Sequence, residues 1–354
     1  MLARLSRAAA LAGLLCLPLP AGAADAPSLD DGQALDIRRL SPDQRRRLLA
    51  GDTIGYQVAE TTETELGAGV AMYLPVPLAR VAEVLTSPDI VVKDPSISAW
   101  GALAPGATVA ALAGYKLEGG EVAEAQDAFD ALAGGRLNLS APEMEAFRAA
   151  RPARGADRSA VAESGTAQWR ALLLQRAQAF QARGLDGMAP YARRGNVTEP
   201  AAVLRVAAGD ARIVAHLMPR LADVLLRFPV EQSPTAISQC YWVKRQVQGR
   251  PDLILIHHLV DVTPQLALYV ERHVYVGHSY NASQILSGAV PYEDGVLVFS
   301  SNRVSTDQVA GLGGELKRTI GRRQLRSEIV KRFDRIRAVL IKPTAPLPER
   351  VESP

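Results

Sequence analysis

Short alternating runs open the ordered part of the chain. Tyr56-Gln57-Val58 and Val70-Ala71-Met72-Tyr73-Leu74 flank a polar, glycine-containing turn at Thr64 to Gly69, which predicts a β-hairpin. Pro75 and Pro77 break the second strand, and Leu78, Val81, Val84 and Leu85 then share one face of a short helix. Five strand-like runs follow much later, at 237–248, 253–262, 266–278, 284–290 and 296–303. Their punctuation by Gly249-Arg250-Pro251-Asp252, Thr263-Pro264 and Glu293-Asp294-Gly295 predicts an antiparallel meander. A long amphipathic helix is predicted from Ser305 to about Leu340. Ser305 and Gln308 form its capping box, and Val309, Leu312, Leu316, Ile320, Leu325, Ile329, Phe333, Ile336 and Leu340 form its apolar stripe against the sheet.

Between the two strand-rich parts, residues 106–228 are rich in Ala, Arg and Gln and predict helices almost throughout. Ser140 and Glu143 make a capping box, and Trp169, Leu172, Leu173, Arg176 and Phe180 recur at helical spacing until Gly184. Because strands resume after it, this stretch reads as an insertion into one domain formed by 51–105 and 229–341. Ser41, Asp43 and Gln44 start a short basic helix after a polar leader, so that 24–50 precede the domain. Pro343, Pro346 and Pro348 make 342–354 an extended tail.

The first 23 residues have a different pattern. Arg4 and Arg7 precede an apolar stretch, Ala8 to Leu19, too short to span a bilayer, and Ala21-Gly22-Ala23 offers a small-x-small cleavage site. A secretory signal cleaved near Ala23 and a periplasmic mature chain are expected. Leu15 before Cys16 disfavours the alternative, a lipoprotein signal. Cleavage leaves Cys240 alone and excludes an intrachain disulfide. Removing Arg4 and Arg7 takes the 40 basic residues to 38 against 37 acidic ones, so net charge does not point to nucleic acid.

Three segments carry a resemblance: Leu268 to Asn281 (LYVERHVYVGHSYN), Asn302 to Gly311 (NRVSTDQVAG) and Ala182 to Tyr191 (ARGLDGMAPY). With the order of hairpin, helix, meander and long helix, the chain resembles the START-like (SRPBCC) helix-grip superfamily. More narrowly it resembles a group of exported bacterial proteins with a helical insertion. The resemblance implies an α+β fold in which a curved antiparallel sheet wraps a long C-terminal helix, with a cavity between them for a lipid or other hydrophobic small molecule. It supplies no catalytic assignment and no cofactor. Where such relatives carry a cysteine-bearing segment, this chain has Gly134-Gly135-Arg136-Leu137-Asn138-Leu139, so no role of those cysteines carries over.

Candidate chemistry gathers on the meander. His257, His258, His273 and His278 lie on two adjacent predicted strands. The period of two puts Tyr269, Glu271, His273 and Tyr275 on one face and Leu268, Val270, Arg272, Val274 and Val276 on the other. Such a face is either a solvated one with cross-strand pairs or a polar lining for a pocket. The cavity candidates are Tyr73, Trp242, His258, Tyr269, Glu271, His273, Tyr275 and Arg303. In an enzyme alternative, His273 or His258 is the acid-base group, oriented by Tyr269, Tyr275 or Glu271. No metal site is expected, since His273 and His278 fall on opposite faces. Arg303 and Asp307 are expected to pair with each other or with a helix end, the alternative being an arginine at the cavity mouth that meets an acidic head group, and the glycines at 311, 313 and 314 to mark a packing or bending point in the helix. Lys317, Arg318, Arg322, Arg323 and Arg326 form a basic outer face, either solvated or docked on an anionic membrane surface. A third alternative, a scaffold, would use Trp169 and Phe180 as exposed anchors.

Overall fold

The computed structural model describes residues 40–87, 94–118, 120–230, 234–311 and 313–341. The expected signal, most of the leader, Leu312 of the expected apolar stripe and the expected tail lie outside them. The element order is α1 (Pro42–Leu49), β1 (Thr53–Tyr56), β2 (Glu65–Leu74), α2 (Leu78–Thr86) and β3 (Ile97–Ala102). Helices α3 (Val122–Phe129), α4 (Ala141–Ala149) and α5 (Arg158–Arg183) come next, then a small strand pair, β4 (Tyr191–Ala192) and β5 (Val197–Thr198). Three helices follow: α6 (Pro200–Gly209), α7 (Arg212–Leu217) and α8 (Pro219–Arg227). Last are β6 (Ile237–Val247), β7 (Arg250–Thr263), β8 (Leu266–Val276), β9 (Ala282–Tyr292), β10 (Gly295–Ser305) and α9 (Gly314–Leu340).

Eight strands form one antiparallel sheet in the order β1-β2-β10-β9-β8-β7-β6-β3. The meander β6 to β10 is its body, and β2 closes onto β10 from Leu74↔Val296 to Glu65↔Ser305. The chain is therefore α+β, with a large antiparallel sheet and a C-terminal helix packed on it. On one face, Val260, Ala267, Tyr269, Ala289 and Val298 pack with Val81 and Leu85 of α2 and Ile329, Phe333 and Leu340 of α9. The other face carries two apolar clusters. Trp242, Leu253, Leu255, Val274 and Tyr275 meet α3 to α5, while Leu259, Leu268, Val270, Leu286 and Phe299 meet α1 and α6 to α8.

Local chemistry explains the helix starts. Ser41 and Gln44 exchange hydrogen bonds of 3.2 and 2.8 Å across the first turn of α1. Glu143 caps α4 through the Ser140 N–H at 2.7 Å and also takes a bidentate bond from Arg176 of α5, 2.7 Å at each oxygen. That pair accounts for an arginine inside an otherwise apolar stripe. Trp169 and Phe180 of the same helix are buried, with Trp169 4.8 Å from the Phe147 ring, so neither is the exposed anchor that a scaffold would need.

The end of β10 departs from expectation. The strand runs through Ser305, a turn follows at Asp307–Val309, and α9 begins only at Gly314. Gly311 and Gly313 have φ of +78° and +73°, so these glycines make the left-handed link into the helix rather than a bend within it. Arg303 pairs not with Asp307 but with Asp210 at 2.6 Å and Glu65 at 3.2 Å. Asp307 accepts instead from Asn281 at 2.9 Å and Arg193 at 3.1 Å.

Helix α9 also presents another face in its first turns. Gly321 lies against Leu66, where an added Cβ would stand 2.7 Å from Cδ1, and Arg322 grips Glu60 with bonds of 2.7 and 2.6 Å. Leu316 and Ile320 consequently point outward, 68% and 58% exposed, whereas Phe333 is 1% exposed. Phe333→Asp should therefore cost about 4 kcal/mol or more by placing an unpaired carboxylate in the core. Leu316→Asp should stay within about 0.5 kcal/mol of wild type. Urea unfolding of the two variants checks this assignment of faces, and equal losses would overturn it.

Candidate functional site

Strand β8 is buried along its whole length, so each polar side chain on it needs a partner from a neighbouring strand or a covering helix. On the α9 face that requirement builds a network. Tyr269 donates to Glu271 Oε2 at 2.5 Å, and His273 Nε2 meets Glu271 Oε1 at 2.8 Å. The other His273 nitrogen, Nδ1, meets the Tyr280 hydroxyl at 2.7 Å. Arg332 of α9 reaches down to Glu271 Oε2 at 2.9 Å and to the Tyr269 hydroxyl at 3.0 Å. Its guanidinium also stands 5.3 Å from the centre of the Tyr269 ring.

The charges follow from these contacts. Burial alone would raise the Glu271 carboxyl, but the Arg332 charge first, then His273 and Tyr269, hold it well below the usual carboxylate range. Burial raises the Tyr269 and Tyr280 hydroxyls, so both remain protonated donors. Tyr280, His273, Glu271 and Arg332 thus form a chain in which an anchored carboxylate orients an imidazole whose far nitrogen touches a phenol. Chemically, it is suited to hold a proton at Tyr280 or to pass one through His273.

His258 lies beside this chain, cross-strand from Glu271 in the β7–β8 register. Its ring sits 4.7 Å from that of Tyr269 and 6.0 Å from that of Tyr241. It is 3% exposed, and neither ring nitrogen has a hydrogen-bond partner in the protein. Burial pushes its imidazolium down to about 4, the Glu271 charge only partly opposing it. A neutral imidazole with both nitrogens unused therefore stands between sheet and helix.

Of the eight cavity candidates, His258, Tyr269, Glu271 and His273 converge here and four do not. Register shifts between Leu255 and Ile256, where β7 pairs Leu255↔Tyr275 but Ile256↔His273. That bulge at Val274 turns Tyr275 to the opposite face, where the Arg176 guanidinium lies 4.4 Å from its ring centre. Trp242 is on that face too, edge-on to Tyr115 and donating to the Ala111 carbonyl at 3.0 Å. Tyr73 donates to Asp294 and stands edge-on to Tyr292, away from the network. Arg303 is committed to Glu65 and Asp210. Two members were missed. Arg332 is one more basic residue of α9; it follows Ile329 by three residues and so reaches the sheet with its side chain partly covered, while Tyr280 lies past the strand end, where alternation gives no signal.

Beside the network, Tyr269 packs with Ile329, Phe333 and their neighbours in one apolar cluster. An open hollow of about 330 Å³ lies instead at the start of α9, lined by Glu63, Gly313, Glu315, Leu316 and Arg318. A void of about 20 Å³ lies on the opposite face between Trp169, Asp252 and His278. Among the described residues, no group of three or more His, Cys, Asp or Glu is disposed to hold a metal, and no helix is long and apolar enough to cross a membrane.

No family model and no curated protein matches the chain. Among solved structures it is similar to that of Ara h 8.0201, at 12% identity over 41% of this chain and 91% of that one, with a TM-score of 0.21. Likeness at that level carries nothing about function, and the fold assignment rests on the strand order and packing above.

Acid should expose the state of His258. Its native pKa near 4 lies below the unfolded value of about 6.5, so unfolding takes up a proton between those limits. Stability should fall as pH drops from about 6.5 to 4. By linkage, His258→Phe should lose about 2.5 kcal/mol less than wild type between pH 7 and pH 4.5. Urea midpoints of both proteins across that range measure the difference, and parallel curves would mean that His258 is charged in the native state.

Proposed function

We propose that the chain is an exported, START-like binding protein for a small, mainly apolar molecule that carries one hydrogen-bonding group and sits between the sheet and α9. The observation that carries this proposal is His258, buried beside the Tyr269 and Tyr241 rings with two unused nitrogens. A buried polar group without a partner costs about 1–3 kcal/mol, so a ligand that bonds to it recovers that cost while apolar walls add about 25 cal/mol per Å² covered. Entry requires α9 to swing outward at Ile329 and Phe333, which would also free Arg332 from Glu271. Export rests on the pattern of residues 1–23.

Loading from a membrane is the natural extension for such a ligand. Leu316 and Ile320 are exposed one turn apart, with Lys317, Arg323 and Arg326 exposed around them. Apolar side chains amid cations suit docking on an anionic bilayer, at about 1 kcal/mol per basic residue near the surface. Arg318 and Arg322 contribute less, being paired with Glu315 and Glu60. Ile320→Ser with Arg323→Glu should reduce sedimentation with phosphatidylglycerol vesicles several-fold, and added salt should do the same. Indifference to both would remove the membrane from the proposal.

A second reading, catalysis in the same compartment, is favoured by the Tyr280–His273–Glu271 chain. One experiment addresses both. Native mass spectrometry of the mature protein, purified without detergent, should reveal a bound small molecule that is depleted in His258→Phe. Absence of any adduct from the wild type would defeat the binding proposal. An adduct of different mass in Tyr280→Phe would mean that wild type converts what it binds, whereas the same mass in both would leave binding alone.

A further inference from the structure

On the sheet face away from α9, a row of polar side chains crosses the middle strands. His257 of β7 pairs with Arg272 of β8, Arg272 with Gln284 of β9, and Gln284 with Arg303 of β10. Directly opposed residues share a face, so the four form one lateral belt. Each of the first three is flanked two positions away by members of the two apolar clusters: Leu255 and Leu259, Val274 and Val270, Ala282 and Leu286. The belt therefore separates those clusters beneath α5 to α8.

Arg272 is the exceptional member. It is 0% exposed, and only Nη1 is satisfied, by the Leu225 carbonyl of α8 at 2.8 Å. Other buried cations among the described residues face a carboxylate: Arg176 has Glu143, Lys244 has Glu121 and Arg303 has Glu65. Arg272 has none. Its Nε and Nη2 have no partner, and together they form the side edge of the guanidinium, the fork that matches the two oxygens of a carboxylate. Two belt neighbours also keep an unused atom. His257 spends Nε2 on Ser238 at 3.0 Å and keeps Nδ1, while Gln284 spends Nε2 on the Ala207 carbonyl at 2.9 Å and keeps Oε1. Phe228, 4.5 Å from the His257 ring, and Phe180, 5.0 Å from it, form the apolar surroundings. Burial, and then the like charge of Arg205, push the Arg272 guanidinium down to about 9, which still leaves it charged at neutral pH.

We infer that Arg272, with His257 beside it, forms a second, enclosed binding site for a small carboxylate, held between the sheet and helices α6 to α8. The guanidinium fork takes both oxygens, and His257 adds a third donor from Nδ1 when Ser238 donates to Nε2. Gln284 Oε1 accepts from a hydroxyl or amine on the bound acid. This site is on the opposite side of the sheet from His258 and is independent of the proposal made for that residue. Since Arg272 is wholly buried, the acid enters during folding or through a local opening of α8.

Equilibrium dialysis with radiolabelled acetate, after incubation a few degrees below the unfolding midpoint, tests the site. The wild-type mature chain should bind about one acetate, saturably, with an unfolding midpoint that rises with acetate beyond the effect of sodium chloride at equal ionic strength. Arg272→Met should abolish saturable binding. Gln284→Glu is the control against misfolding, because it supplies an internal carboxylate beside the fork. It should exclude acetate while raising the midpoint in acetate-free buffer. No saturable acetate binding by the wild type, or equal stabilisation by chloride, would overturn the inference, as would acetate binding by Gln284→Glu that matches wild type.

Discussion

Burial of β8 on both faces is the constraint from which most of this structure follows. None of its eleven residues reaches solvent appreciably, yet the strand carries Glu271, Arg272 and His273 in succession. Ionisable groups so placed must be satisfied by whatever covers them. On one side Arg332 of α9 supplies the countercharge for Glu271, which fixes how that helix crosses the sheet. On the other, α8 offers Arg272 one backbone carbonyl and no carboxylate. The covering helices thus serve the sheet as sources of specific polar groups as well as apolar surface.

Much of the fold could be read from residue patterns. Alternation located the meander, and Ser41/Gln44 and Ser140/Glu143 marked two helix starts that the hydrogen bonds realise. What failed did so for identifiable reasons. A step of five residues from Ile320 to Leu325 is about 500° of helix, roughly 140° from a full turn, so Leu316 and Ile320 cannot share the face of Leu325, Ile329 and Phe333. The stripe joined two faces. Val274 is the second case: a bulge adds one residue without changing composition, and everything after it changes side.

The site was half legible for the same reasons. Tyr269, Glu271 and His273 obey a period of two, and His258 joins them because β7 pairs with β8 in register as far as Ile256 and His273. Arg332 was obscured by its charge: among nine basic residues on one helix, only its place between Ile329 and Phe333 set it at the edge of the sheet-facing side. Nothing in the sequence says that Arg303 has carboxylates and Arg272 has none, because Glu65 and Asp210 are far away along the chain. That difference arises only when the strands are brought together.

Ligand binding stands or falls on His258, since an unpartnered imidazole between sheet and helix either receives a ligand or has no role in binding. A high-resolution crystal structure of the protein as purified examines it directly. Non-protein density is expected within hydrogen-bond distance of a His258 nitrogen, continuing as an elongated molecule toward Ile329 and Phe333. Both nitrogens bonded only to protein or isolated waters, with those side chains closed over the sheet, would contradict it.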